Sequence, residues 1–593
     1  MGWASWNNFA VDISDPIIKA QANAMVSSGL AAAGYKYINI DDGFFDGRNA
    51  DGTLKINAVK FPNGMKSLVD YIHSKGLKAG FYSDAGANTC GSQYNGQTGG
   101  VGGGMYNHDQ QDADLFFKTW GFDFLKVDYC GGLVQKLDEK TRYTAIKTAI
   151  DNTGRADVNF NVCRWQFPGT WVTQVADSWR ISQDISFDKS AHWDRILYVI
   201  DCNTFLAAYS RQGHYNDMDM MQVGRGLTAD EDKSHFSMWC ILSAPLVLGN
   251  DLTTLTQQTK NILTNAEVIA VDQDTTGVQG KLVSDNGAGL QVWAKNLKGK
   301  QSNERAVVLF NRSAAAASMT VKWKNLNLTG AATVRNLWSH TDLGSMDSVY
   351  TATVSSHGVI MLKVVGSQTK LQEVFEAEYA WINNFNLTNN SAVIADQGRA
   401  VTDASCSGGA KASWLGNRDD NYIEFSDIYS KAAGSYQLTV SYSSGENRNA
   451  KLSVNDKDTL LTKLNSGGWS TIRKSTFTIK LKQGNNTIRF SNATGWMPDL
   501  DKIQLDLNKS DISLSSVYEL PNLPVKIYPN PCNSFIQIDS ESPVKQADIY
   551  SLTGCLLKQY GESRIYMNDL CPGTYLLKVV TEKGRDTRLI IKN

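Results

Sequence analysis

Short apolar runs that stop at a carboxylate are where this chain could do chemistry. YKYINIDD ends at Asp41-Asp42, FDFLKVD at Asp128 and SWRISQD at Asp184. Any one such acid could simply cap the helix that follows it. Taken together they suggest something more, because two carboxylates on either side of a neutral substrate, one ionised and one held protonated, suffice to cleave a glycosidic bond. Catalysis of that kind calls for no cofactor. Lys126 precedes Asp128 by two residues, so in a strand both point to one face, where a cation favours the ionised carboxylate.

For these acids to meet, the runs must be strands of one sheet. Eight runs occur in the first 250 residues: MGWASWN, YKYINIDD, LKAGFYSD, FDFLKVD, ADVNFNVCR, SWRISQD, HYNDMDM and APLVLGND. Helical spacing lies between several of them, over 15–33, 62–76 (Met65, Leu68, Val69, Ile72) and 109–121. Such alternation predicts a (β/α)8 TIM barrel over 1–268, with its site at the strands' C-terminal ends. An open doubly wound sheet would look similar locally, and the count of eight favours the barrel. The texture then turns all-β, giving a multidomain chain: an antiparallel β-sandwich over 269–366, a second sandwich over 373–508, a linker near 508–523 and a small β-domain over 524–593.

Composition narrows the partners. The 593 residues suggest roughly four domains, and 42% apolar with 20% charged residues is ordinary globular composition. Lys plus Arg, 58, balances Asp plus Glu, 59, so no global field draws in nucleic acid. No apolar run reaches the roughly 18 residues of a membrane span. HExxH, CxxC, the P-loop and the strand-GxGxxG-helix pattern are absent, which argues against transition-metal and nucleotide chemistry. The 15 Trp, 23 Tyr and 21 Phe mostly fill cores, and sugar stacking accounts for the remainder. The chain opens at Met1-Gly2-Trp3 with no leader-like segment, so a removed leader or a truncated start is expected.

Read with MGWASWNNF, KAGFYSDAGANTC, CRW, HYNDMDMM and SAPLVLGNDL, these motifs resemble, in order and over 1–366, glycoside hydrolase family 27, the clan D retaining α-galactosidases. The resemblance implies Asp128 as nucleophile and Asp184 as acid/base. It implies Asp41 and Asp42 on the 4- and 6-hydroxyls, Lys126 on the 3- and 4-hydroxyls, Trp6 against the apolar sugar face, Tyr82 lining the pocket and Arg180 toward the 2-hydroxyl. Cys163, Arg164, Trp165 and Asp219 complete the implied substrate-binding set, and Cys90 with Cys130 an active-site disulfide. A second family disulfide is missing at both ends, where Val11 and Gly43 stand. The family's usual Cys-Glu-Trp is Cys163-Arg164-Trp165 here, which alters the leaving-group side, and bulky Arg164 and Phe167 disfavour N-acetylgalactosamine. The intact Asp41-Asp42 favours galactose over β-L-arabinopyranose. The other readings are β-L-arabinopyranosidase, another family activity such as dextran-directed hydrolysis, and a non-catalytic sugar-binding surface protein.

Over 374–507, FEAEYA, GNNT and WMPDLDKI resemble carbohydrate-binding modules of families 6 and 35. That implies a structural calcium on Glu376, Glu378 and Asp501, with Trp381, Trp414, Trp469, Trp496 and Asn492 as candidate sugar contacts. The tail, with YPNP, IYSLTG and PGTY, resembles the C-terminal sorting domain of type IX secretion. It implies an exported protein, secreted by or displayed on a bacterium, whose partners are a galactosylated glycan and the secretion machinery. Of nine cysteines, Cys163, Cys202, Cys240, Cys406, Cys532, Cys555 and Cys571 have no partner suggested by the resemblance.

Overall fold

The computed structural model describes residues 1–385, 397–508, 525–552, 556–582 and 585–593, so Cys555 and almost all of the expected linker lie outside the described residues. The chain forms two compact units, Met1–Asn508 and Lys509–Asn593.

The eight expected strands all form: β1 (Gly2–Ala4), β2 (Tyr37–Asn39), β3 (Lys78–Asp84), β4 (Phe124–Asp128), β5 (Asn159–Val162), β6 (Ser178–Arg180), β7 (Tyr215–Asp217) and β8 (Val247–Leu248). They pair in parallel in the order β8-β1-β2-β3-β4-β5-β6-β7. A parallel bridge from Met221, just past β7, to Leu248 on β8 closes the ring. Side chains alternate along β3 and β4, and the register sets Tyr82 beside Lys126 and Asp84 beside Asp128. Residues two apart thus rise in step on neighbouring strands, which carries the strand-end acids to one mouth.

Helices pack outside: α1 (Asp15–Ser27), α2 (Gly64–Ser74), α3 (Asp109–Ala113, continuing as a wider turn through Trp120), α4 (Glu139–Asn152), α5 (Trp193–Asn203), α6 (Ala229–Ile241), α7 (Gln257–Leu263) and α8 (Ala266–Asp272). Met65, Leu68, Val69 and Ile72 are the buried face of α2, as their spacing predicts. Asp138 caps α4 and a Thr228/Glu231 capping box opens α6, each satisfying amides that a helix start leaves unpaired. Between β5 and β6 the helix expected of a barrel is replaced by one tight turn, Thr170–Gln174.

Helix α8 runs through the expected boundary at 268, so the barrel extends to Asp272 and the sandwich begins at Lys281. Ala266–Asp272 has too few residues to show a helical period in the sequence. The sandwich packs a six-stranded sheet on the pair Ala317–Lys322 and Val349–Val354, around Val307, Leu309, Val321, Trp323, Leu362 and Val364. Arg335 grips Glu267 of α8 at 2.7 Å, tying sandwich to barrel.

The third domain is a second sandwich. One sheet joins Arg399–Thr402, Ala410–Ser413, Asp499–Leu505, Gly434–Ser444 and Gly468–Leu481, with Val374–Glu376 alongside Asp499–Leu505. The other joins Trp381–Ile382, Ile423–Ser430, Gly484–Ser491, Arg448–Val454 and Lys457–Leu464. The C-terminal unit has its own core of Ile536, Ile538, Ile549, Leu577, Val579 and Ile590 between a three-stranded and a four-stranded sheet. Among the described residues no helix is long and apolar enough to cross a membrane.

Candidate active site

At the mouth, Lys126 from β4 reaches across to Asp41 after β2, Nζ donating to Oδ2 at 2.9 Å, and stands 3.9 Å from Asp128 Oδ1. Its ammonium also lies 5.4 Å over the Tyr82 ring. Burial raises the Asp128 carboxyl to about 6, against the lowering pull of Lys126; Asp41 and Asp184 push it up further. Asp128 Oδ1 is buried with no hydrogen-bond partner, an acceptor left for something that enters the pocket. The other oxygen, Oδ2, touches Cys90 Sγ at 3.3 Å.

Cys90 and Cys130 are joined, as the family resemblance implied, with Cα atoms 5.1 Å apart. The bond fastens the short helix after β3 to the one after β4. Beneath it lies Asp84, which sequence reasoning saw as a strand end and not as a site residue. Its Oδ1 accepts from the amides of Gly86, Gly131 and Gly132, and burial raises it to about 7. A Cβ on Gly86 or Gly131 would lie within 2.6 Å of neighbouring backbone, so these glycines let the two loops close over Asp84. Asp84, Cys90 and Cys130 are, among the described residues, the one tight cluster of metal-capable side chains, and its two sulfurs are spent on each other.

Asp42 is completely enclosed: Oδ1 accepts from Gly43 N and Oδ2 from Gly91 N, each at 2.7 Å. Burial raises its carboxyl to about 6. Val11 and Gly43, where the family's second disulfide is missing, do lie together, since a Cβ on Gly43 would fall 2.5 Å from Val11 O. Lys60 replaces the covalent link, its ammonium donating to Val11 O at 2.7 Å and Gly43 O at 2.9 Å. Nothing in the local pattern around Lys60 announces this.

On the opposite side Asp184 is the open carboxylate, 37% exposed, and accepts from Arg180 at 2.9 Å. The same nitrogen of Arg180 lies 3.0 Å from Asp219. Asp219, expected on the sugar, also binds protein: Oδ2 accepts from Ile185 N and Oδ1 from Met220 N. Its backbone is left-handed, φ 73°, a conformation that surroundings must enforce in a non-glycine residue. Arg180 Nη1 also approaches Cys163 Sγ at 3.7 Å, and burial beside Asp128 pushes that thiol well up.

The rim holds the remaining expected residues. Trp6 begins the helical turn after β1 and is half-buried. Arg164 is drawn aside, Nε donating to Glu139 at 2.6 Å with its guanidinium 5.1 Å over Tyr129. Trp165 is half-buried and left-handed, φ 58°.

The third domain gathers a second set of acids. Ser407 Oγ sits between Glu376, at 2.5 Å, and Asp501, at 3.0 Å. Both Glu378 oxygens are buried without partners, and burial raises that carboxyl to about 9. The donor set is hard oxygen of the kind Ca²⁺ takes, although the three carboxylates do not all lie within 4.8 Å of one another. Of the candidate sugar contacts, Trp414 and Trp469 are 47% and 42% exposed, Trp496 meets Trp414 edge-on at 5.7 Å, and the Asn492 amide donates to Asn449 O. Trp381 turns onto Tyr209 of the barrel, ring centres 5.0 Å apart.

The chain matches the family model described as alpha galactosidase A over residues 1–274 and its C-terminal β-sandwich over 287–364; residues 526–593 match a secretion system C-terminal sorting domain. It is 42% identical over 364 residues to an α-galactosidase of Oryza sativa subsp. japonica, covering 60% of this chain and 82% of the relative. It is 37% identical over 385 residues to α-galactosidase A of Cellvibrio japonicus, covering 61% and 91%. Among solved structures, α-galactosidase I from Mortierella vinacea superposes with a TM-score of 0.56 at 33% identity, over 62% of this chain and 97% of that one.

Proposed function

Because this chain belongs to the glycoside hydrolase family 27 α-galactosidases, we propose that it releases terminal α-linked D-galactose from oligo- or polysaccharides by double displacement. The observation that carries the reading is the contrast between the two carboxyls: Asp128 is buried beside a cation with one unpartnered oxygen, while Asp184 is open and held by Arg180. In the first step Asp128 Oδ1 bonds to the anomeric carbon as the glycosidic C–O bond breaks, and Asp184 gives its proton to the departing oxygen. Water then attacks the same carbon, Asp184 takes its proton, and Asp128 leaves as carboxylate, so configuration is retained.

Asp41 and Lys126, already hydrogen-bonded to each other, supply an acceptor and a donor to the sugar hydroxyls. A sugar with a misplaced hydroxyl leaves a buried charged group unpaired, costing about 1–3 kcal/mol. Asp42, locked between Gly43 and Gly91, fixes the doublet, and Asp219 holds Arg180 and the chain at Ile185 in place beside the acid/base. Cys163, Trp165 and Trp6 line the pocket, Arg164 and Glu139 lying toward the leaving group.

The third domain acts as a carbohydrate-binding module whose Glu376, Glu378 and Asp501 would hold a structural Ca²⁺. The partnerless Glu378 oxygens, costly to bury as anions, support that reading. The cation would supply the missing counter-charge. The sorting domain and the active-site disulfide support export by a bacterium to the cell surface or medium, where a bound module keeps the enzyme at its glycan.

The test is proton NMR of nitrophenyl α-D-galactopyranoside and β-L-arabinopyranoside cleavage, with Asp128→Asn as control. The reading expects galactoside to dominate, α-galactose as first product and no turnover by the variant. Dominant arabinopyranoside cleavage would overturn the sugar assignment; an inverted first product or an active variant would overturn the mechanism.

A further inference from the structure

The connection between β5 and β6 carries only the tight turn Thr170–Gln174, and Phe167, just before that turn, meets the third domain at Phe385. Tyr209, just before β7, points its hydroxyl at one residue of that domain: it donates to Ile382 O at 2.9 Å and accepts from Ile382 N at 3.2 Å. Its ring meets Trp381 at 5.0 Å and Phe385 at 5.3 Å. Phe385 also meets Phe167 edge-on at 5.7 Å, and Phe167 lies 4.9 Å from Tyr209. All four separations fall in the range where aromatic pairs attract. Phe167, Tyr209, Ile382 and Phe385 are each no more than 5% exposed, so this is a closed core shared by two domains.

Phe167 belongs to the active-site loop. It follows Cys163, which touches Arg180, and Arg164, which is anchored on Glu139. Between them Trp165 holds its left-handed backbone. A non-glycine residue keeps that conformation only where its neighbours fix the chain on both sides. Arg164 is fixed by Glu139 on one side, and Phe167 by Tyr209 and Phe385 on the other.

We propose that the third domain is part of the hydrolase site: Phe385, acting through Phe167, is a positioning residue that holds the loop 163–167 and thereby shapes the leaving-group side of the pocket. The domain is a fixed wall as well as a glycan anchor. This rests on the α-galactosidase reading for its kinetic arm and on the structure alone for its exchange arm.

Full-length Phe385→Ala and Phe385→Leu are compared with wild type by hydrogen exchange of the loop amides and by kinetics on an α-1,6-galactosyl oligosaccharide, with free galactose as competitive inhibitor. Expected are exchange at 163–167 faster by about tenfold in Phe385→Ala, a KM for the oligosaccharide raised about tenfold, a galactose inhibition constant changed less than about twofold, and restoration of most of both losses by Phe385→Leu. Unchanged exchange and unchanged KM in a folded Phe385→Ala would overturn the proposal. If that variant does not fold, Tyr209→Phe, which keeps the ring and removes both bonds to Ile382, takes its place with the same two readouts. Independent, multiplicative effects of Phe167→Ala and Phe385→Ala in the double variant would also overturn it, since a shared support requires the second loss to add little. An exchange effect without any galactosidase activity would fault the functional reading and leave the structural coupling standing.

Discussion

Replacing Lys126 by methionine keeps the length of the side chain and removes its charge. The ammonium stands 3.9 Å from Asp128 Oδ1. Unit charges about 4 Å apart at an effective dielectric near 20 interact by about 4 kcal/mol, and one pKa unit is about 1.4 kcal/mol. Loss of the cation therefore lifts the Asp128 carboxyl, held at about 6, by about two to three units. A carboxyl that loses a favourable cation titrates higher, so the acid limb of kcat/KM, which reports the free enzyme, moves from near pH 6 to about pH 8–9. At pH 6, where the wild-type carboxyl is half ionised, the variant should lose about 50- to 500-fold, and part of that loss should return as the pH is raised. A lysine that served only to hold a sugar hydroxyl would lower kcat/KM by one factor at every pH. The assay is the pH dependence of nitrophenyl α-D-galactopyranoside hydrolysis, with Lys126→Arg as the variant that keeps the charge. An acid limb left in place, with a uniform loss across the range, would refute the electrostatic role.

Reduction of Cys90–Cys130, or its replacement by serines, should lower unfolding free energy by about 4 kcal/mol, the loop-closure value for residues 40 apart. It should also lower kcat, since the Asp128 carboxylate packs on Cys90; denaturant melts and initial rates would check the two separately, and an unchanged rate in the folded variant would show that the bond only stabilises. Removing divalent cations with a chelator should lower the melting temperature of the Met1–Asn508 unit, calcium should restore it, and Glu378→Gln should abolish the response. Calorimetry would decide, and a melt that ignores both chelator and calcium would discard the cation.

The barrel was readable because each inner strand is a short apolar run that stops at a polar residue, and eight such stops fit one architecture. Lys126 and Asp128 share a face for the same reason, two residues apart on β4, whereas Asp184 lies four residues past the end of β6, where strand periodicity no longer places it. The uses of Asp84 and Asp219 were not readable. Asp84 looks like its neighbours at the ends of strands, yet it faces three glycine amides on loops closed by a disulfide. Asp219 is committed to Ile185, 34 residues away, a pairing set by how two loops descend from different strands. Lys60 substitutes for a covalent bond through two carbonyls, and backbone acceptors carry no mark in the sequence. Trp381 packs on Tyr209, and in sequence an aromatic residue reads alike on a ligand face and on an inter-domain face.

The hydroxyl of Tyr209, bound to both backbone groups of Ile382, changes what counts as a detachable part. Composition shifts near residues 366–373, and a gene cut there would look clean. The truncated chain would carry Phe167 and Tyr209 bare on its surface, beside the one barrel connection with no helix to hide them, and would tend to aggregate. The compact unit instead runs from Met1 to Asn508. For this molecule the smallest piece worth expressing is three domains long, and exchanging its accessory domain for another would require transplanting the Trp381–Phe385 segment along with it.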